Sequence, residues 1–306
     1  MFWDNWFTPK PFNCGFLPEK DGHAVYFAEF GNPQGIPVIV FHGGPGGCFH
    51  EYRASYANLR KYRVIMFDQR GSGRSLPLGK LEHNTTADLL DDVTRLINYL
   101  KINEKVILWG GSWGSTLALL WAEQNPEMTD KLLLSQVFLA NKEYLDWEFN
   151  GNKYNYPEFV AVMEKESNGK IKDYYNKLIL SDNMDKQLQA INRYGWFERI
   201  CGSQEPSFSE FSEVSPQELA SQRIYMHYSA NNFFLGEDDI LNNISKINHL
   251  EAVIIHSRLD FIGPLKGAYD IHQKLPKSRL IILPAFGHVN RLMRMTIKRE
   301  FSKVLK

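Results

Sequence analysis

The sequence contains no stretch near the 18 or more consecutive apolar residues of a membrane span, so no bilayer-crossing helix is expected. It has no charge excess either: lysine plus arginine and aspartate plus glutamate both total 35. A balanced surface gives no electrostatic footprint for nucleic acid, a membrane surface or a strongly acidic substrate. Cysteine is scarce, with Cys14, Cys48 and Cys201 far apart and no CxxC spacing. That excludes a disulfide framework and suits buried or incidental thiols in a reducing cytosol. The opening MFWDNWFTPKPF lacks a basic segment followed by an apolar run, so no secretory leader is expected. There is no H-E-x-x-H, no Cys/His cluster and no G-x-x-x-x-G-K-[ST] loop, so neither a catalytic metal nor any other cofactor is called for. Repeats and low-complexity tracts are absent as well. What remains is an ordinary globular composition: 306 residues, 43% of them hydrophobic. This fits a soluble, cytoplasmic chain with one large domain carrying an insertion, or two domains, of unspecified oligomeric state.

Short apolar or β-branched runs recur at Pro37–Phe41, Val64–Phe67, Val106–Trp109, Leu132–Leu134, Val253–Ile255 and Leu280–Leu283. Unbroken runs of this length suit strands buried on both faces, as in a mostly parallel sheet. Helical patterns lie between them. Leu89, Leu90, Val93, Leu96, Ile97 and Leu100 share one helix face, and Thr85 with Asp88 forms a capping box at its start. Alternating strand and helix predicts an α/β fold with an open, doubly wound sheet.

The alternation stops at about Asn141 and resumes near Leu250. The stretch between is crowded with aromatics such as Tyr144, Trp147, Phe149, Tyr194, Trp196 and Phe197. Over 141–235 it holds 14 acidic against 10 basic side chains. We read residues 140–235 as a mainly helical cap inserted between two parts of the core, 1–139 and 236–306; a second helical layer packed elsewhere is the plainer alternative. At the C-terminus, basic Arg291, Arg294, Lys298, Arg299 and Lys303 alternate with apolar Leu292, Ile297, Phe301 and Val304. That is a solvated helix face rather than a nucleic-acid platform, since no aromatic stacking residues accompany it.

The chemistry concentrates in Gly110-Gly111-Ser112-Trp113-Gly114, between the run ending at Trp109 and a helical pattern from Ser115 to Glu123. In this strand–turn–helix context G-x-S-x-G is a nucleophile elbow, which marks the α/β-hydrolase fold. Glycines are needed because side chains at the flanking positions would collide as strand and helix close on each other. A hydroxyl needs a base and the base needs an orienting acid, and in this fold they follow in the order Ser, Asp/Glu, His. Asp260 ends the strand Ile254-Ile255-His256-Ser257-Arg258-Leu259, and His288 follows the last strand in Leu283-Pro284-Ala285-Phe286-Gly287. His256 lies within a strand, His249 and His272 flank helices, and Asp68 precedes the serine, which is the wrong order. The loop His42-Gly43-Gly44-Pro45-Gly46-Gly47 follows another strand. Gly43 or Gly44 there can present a backbone N–H to an oxyanion, paired with that of Trp113.

Together these segments resemble the proline iminopeptidase (prolyl aminopeptidase) family of α/β-hydrolases. The likeness runs from Gly22-His23 and Gly31-Asn32-Pro33 through HGGPGG (42–47), DQRGSGRS (68–75), Asn84-Thr85-Thr86 and GGSWGSTLAL (110–119) to Asp260 and Gly287-His288. It implies a triad of Ser112, Asp260 and His288, without a cofactor, acting on a small peptide. In the cap it implies that Glu198, in Tyr194-Gly195-Trp196-Phe197-Glu198, binds the substrate's free amino group. The family's second amine-binding glutamate corresponds to Tyr225, which leaves Glu198 as the single charged contact. The family's L-R-G-I-F segment is here Leu134-Ser135-Gln136-Val137-Phe138, which keeps the pocket phenylalanine as Phe138 but not the arginine. Two other classes stay open: an esterase, lactonase or amide hydrolase for a small acyl substrate without a free amine, and a ligand-binding protein on the same fold. Ser112 at the elbow argues against an epoxide hydrolase or dehalogenase, which want aspartate there.

Overall fold

The computed structural model describes residues 8–202 and 213–303. Residues 1–7, part of the opening stretch examined for a leader, and Val304 lie outside them.

An eight-stranded sheet forms the centre, in the order β1-β2-β4-β3-β5-β6-β7-β8. Its strands are β1 Asn13–Phe16, β2 Tyr26–Gly31, β3 Ile36–Phe41, β4 Tyr62–Phe67, β5 Val106–Gly111, β6 Thr129–Ser135, β7 Glu251–Leu259 and β8 Ser278–Phe286. From β4 to β8 every pairing is parallel, while β1 and β2 join antiparallel at one edge. All six apolar runs lie inside strands. The two antiparallel strands were not read from the sequence, for a physical reason. β1 is largely exposed and carries no apolar signal. In β2 the run Phe27-Ala28-x-Phe30 is broken by Glu29, which is buried only because Arg63 and Asn13 of neighbouring strands pair with it.

The helices are α1 Thr86–Tyr99, α2 Trp113–Gln124, α3 Lys142–Asp146, α4 Pro157–Ser167, α5 Ile171–Ile179, α6 Met184–Gly202, α7 Pro216–Ala230, α8 Asp239–Asn243, α9 Leu265–Lys274 and α10 Arg291–Lys303. α1 starts at the expected capping box: Thr85 accepts from the Asp88 N–H while Asp88 accepts from the Thr85 N–H. Strand alternation sends Ile39, Phe41, Ile65 and Leu108 to one face, packed with α1, α2 and α9. Val38, Val40, Met66 and Trp109 point to the other, where α10 covers them with Met293, Ile297 and Phe301. The basic face of α10 is solvated as expected, with Lys298 and Arg299 exposed. Leu292 departs from the expected pattern: it faces solvent and Met293 takes the core position.

After β6 the chain leaves the sheet and returns in β7, directly beside β6, with Ser135 paired to Ile255. Among the described residues between these strands there are helices α3 to α8 and single turns, and no strand. Phe149, Tyr175, Tyr194 and Phe197 build a separate apolar cluster there. No helix among the described residues is long and apolar enough to cross a membrane.

Candidate active site

Ser112 sits between β5 and α2 with φ 56° and ψ −129°, a conformation that L-residues adopt only under constraint. The constraint is visible at the glycines. A methyl group on Gly110 would strike the Gly114 carbonyl, and one on Gly114 would strike the Phe41 carbonyl. Neither position tolerates a side chain, so helix and strand close tightly and hold the serine at the sheet's carboxyl edge. Trp113 is the first residue of α2, so its N–H has no acceptor within the helix.

His288 follows β8, and its Nδ1 donates to Asp260 Oδ2 at 2.7 Å. That bond fixes the tautomer, leaving Nε2 as the acceptor nitrogen. Nε2 is buried and has no hydrogen-bond partner. Asp260 is itself buried, and its Oδ1 accepts from the N–H groups of Ile262 and Gly263, both at 3.0 Å. Burial favours its protonated form, but the facing His288 outweighs that and holds the carboxyl below the usual range. The competing residues have other partners. His256 is a core histidine bonded to the Gly263 carbonyl at 2.8 Å and kept neutral by burial. Asp68 accepts from the Phe49 N–H and from Arg74.

Gly43 lies against the serine: a Cβ built on it would stand 3.8 Å from Ser112 Oγ. Gly44 takes φ 131°, in the glycine-favoured region, and lines the cavity beside Ser112. The device that holds this loop is not legible in the sequence. Gln69 donates to the His42 carbonyl at 3.0 Å and accepts from the Trp113 indole N–H at 3.0 Å. One side chain therefore ties the glycine loop to the start of α2. Its place in DQRGSGRS is the only signal the sequence offers.

Ser112 and His288 open on a cavity of about 370 Å³, whose other walls come from α3 and the turn after it, α6, α7 and the segments after β6 and β7. Such a volume is at the small end for ligand pockets. Phe138, Tyr144, Ile191, Phe197 and Phe261 form apolar walls, and Glu198 and Tyr225 both line it. Glu198 is surrounded by protein but keeps part of its surface open to the cavity. Burial, and then the nearby Glu148, push its carboxyl up to about 7. α6 is anchored to the loop that carries His288, since the His288 N–H donates to the Gly202 carbonyl at 3.0 Å.

Glu148 was not anticipated. It occupies a π-helical turn, Trp147–Gly151, directly after α3, and it lines the same cavity. Glu198 is thus not the single carboxylate of the pocket. The sequence places Glu148 50 residues from Glu198 inside an aromatic stretch, with nothing to mark it as facing the site.

Comparison with known proteins fits this arrangement. A family model described as the alpha/beta hydrolase fold matches residues 36–292. A proline iminopeptidase of Arabidopsis thaliana is 35% identical over 288 residues, covering 91% of this chain and 76% of that protein. One of Xylella fastidiosa is 35% identical over 286 residues, 91% of both chains. The chain belongs to the proline iminopeptidase family. It is a hydrolase of the α/β-hydrolase fold. A solved proline iminopeptidase of Mycobacterium smegmatis, 20% identical, superposes with a TM-score of 0.63 over 95% of this chain and 98% of that one, a likeness of fold. Identity of about a third leaves room for this member of the family to build its pocket differently, and Glu148 lies in that pocket.

Proposed function

We propose that the protein is a serine aminopeptidase that releases an N-terminal residue, proline by family likeness, from short peptides through an acyl-enzyme on Ser112. The observation that carries the reading is the placement of Ser112, the Asp260-oriented His288 and the carboxylate of Glu198 on one small cavity. Ser112 Oγ attacks the scissile carbonyl and its proton passes to His288 Nε2, while Asp260 stabilises the imidazolium. The Trp113 N–H and an N–H of the Gly43–Gly44 stretch meet the oxyanion. His288 returns the proton to the leaving amine, and water repeats the cycle to release the acid. Glu198 pairs with the substrate's ammonium, and Phe138 forms part of the apolar wall around the first side chain.

In this reading residues 140–235 are the cap over a core made of 1–139 and 236–306, and closure of the cap limits the substrate to a free N-terminus. The three cysteines are unpaired and two of them are exposed, which supports a reducing, cytoplasmic setting. The test is hydrolysis of proline p-nitroanilide by wild type and Ser112→Ala, with fluorophosphonate labelling. Wild type should cleave and label, and Ser112→Ala should lose labelling and at least about 10⁴-fold in kcat. Retention of most activity by Ser112→Ala would refute the nucleophile. A labelled enzyme that cleaves neutral esters but not free-amine anilides would refute the aminopeptidase half.

A further inference from the structure

We infer that Glu148 is a second specificity-determining carboxylate, which together with Glu198 makes the cavity a site for a protonated amine. The inference rests on the aminopeptidase reading for the substrate it names, but its evidence is separate. Glu148 comes from the π-helical turn after α3, whereas Glu198 comes from α6.

Two phenols hold it. Tyr225 Oη donates to Glu148 Oε1 at 3.1 Å, and Tyr194 Oη donates to the same oxygen. Burial first, and Glu148 next, keep both phenols protonated and therefore donors. No donor among the described residues reaches Oε2. Tyr225 thus does not stand in for a carboxylate. It orients one that arrives from another element.

Among the described residues, the charges facing the cavity come from four elements: Glu148 on the π-helical turn, Glu198 and Arg199 on α6, Glu218 on α7, and His288 after β8. Glu218 is occupied at the α7 capping box, where the Ser215 N–H and hydroxyl donate to it. Glu198 receives one weak hydrogen bond, from Gln222 at 3.4 Å. Two further acceptors, Asn152 Oδ1 and Gln222 Oε1, are buried without a donor on residues that line the same cavity. Among the described lining residues three carboxylates face one guanidinium, Arg199, so the enclosure has room for more positive charge and, at its spare acceptors, for more hydrogen-bond donors. An ammonium supplies both, with two or three N–H groups on one cation. After burial, Glu148 is the next cause of the raised pKa of Glu198, and a cation beside Glu198 relieves it.

The bland alternative is that Glu148 only satisfies Tyr194 and Tyr225. Glu148→Gln separates the two roles, because a glutamine oxygen accepts from both phenols while the charge is gone. The experiment compares wild type and Glu148→Gln on proline p-nitroanilide and on p-nitrophenyl cyclopentanecarboxylate, a neutral ester of similar size. Pyrrolidine hydrochloride is tested as an inhibitor of ester hydrolysis, with thermal melting as a fold check. We expect kcat/KM on the anilide to fall by about 30-fold or more, chiefly through KM, with ester hydrolysis within about threefold of wild type. Pyrrolidinium inhibition should weaken in parallel. The exchange Glu148→Tyr with Tyr225→Glu returns a carboxylate to the site from α7, and it should recover much of the loss that Glu148→Tyr alone shows.

Equal losses on anilide and ester, or none on the anilide, would overturn the role of Glu148 and leave the aminopeptidase reading standing. If wild type cleaves the ester but no free-amine anilide, that reading fails instead, and the pyrrolidinium inhibition still decides on Glu148. Unchanged inhibition in Glu148→Gln would then refute it.

Discussion

Asp260 stays ionised against the cost of burial because three donors surround it: two backbone N–H groups and His288. Glu198 shows the opposite balance: burial and a neighbouring acid raise it to about 7 against a weak hydrogen bond from Gln222 and the charge of Arg199. The difference gives a pH signature. In the proposed role, Glu198 should take up a proton below 7 and lose its attraction for an ammonium, and above 7 it should be charged and bind. The ratio of kcat/KM for a free-amine anilide to that for a neutral ester cancels the titration of the shared catalytic groups. It should rise with pH through about 7 and then level until the amine loses its proton. In Glu198→Gln the ratio should fall about 100-fold at pH 8 and lose this rise. A ratio that stays flat from pH 5.5 to 8 in wild type would show that Glu198 does not read the amine.

At the scale of elements, two segments must meet for the proposed oxyanion site to exist: the glycine loop after β3 and the first turn of α2. Their backbones approach because Gly114 has no side chain, and Gln69 fixes the approach by bonding to both. Gln69 touches no substrate in this scheme; it is a positioning residue. Gln69→Leu keeps the bulk but loses both hydrogen bonds. It should lower kcat by about 10-fold, less than the loss of an oxyanion donor itself, with KM nearly unchanged. A change confined to KM, or to melting temperature, would remove Gln69 from the account.

Across the whole molecule, the segment between β4 and α1 is joined to α7 at a buried residue, Asn84. Its Nδ2 donates to the carbonyls of Arg70 and Lys80, its Oδ1 accepts from Tyr228 at 3.0 Å, and its carbonyl meets His227 at 3.1 Å. Asn84→Ala should leave the Tyr228 hydroxyl and two carbonyls without their partner and destabilise the protein by about 2–3 kcal/mol. Because α7 also carries Tyr225, denaturant unfolding and the KM for the anilide should both respond. A variant as stable as wild type would mean that water replaces the lost bonds.

Much of this was legible from residues alone. A parallel strand buried on both faces must be apolar throughout, so β3 to β7 announce themselves as runs; β8 carries one too, although it is a partly exposed edge strand. The elbow and the glycine loop need glycines at fixed positions, so they read as motifs. Ser112, Asp260 and His288 follow because each ends or follows such a strand, and chain order assigns them. β1 and β2 were not legible, since an exposed edge strand carries little signal and Glu29 is buried only through pairing with a distant arginine. Gln69 and Glu148 escaped for the same reason: a polar side chain acquires its partners only when separate segments are brought together. Position in the chain identifies Tyr225 as the counterpart of a glutamate. Only the packing of a π-helical turn against α6 and α7 places another carboxylate against that tyrosine.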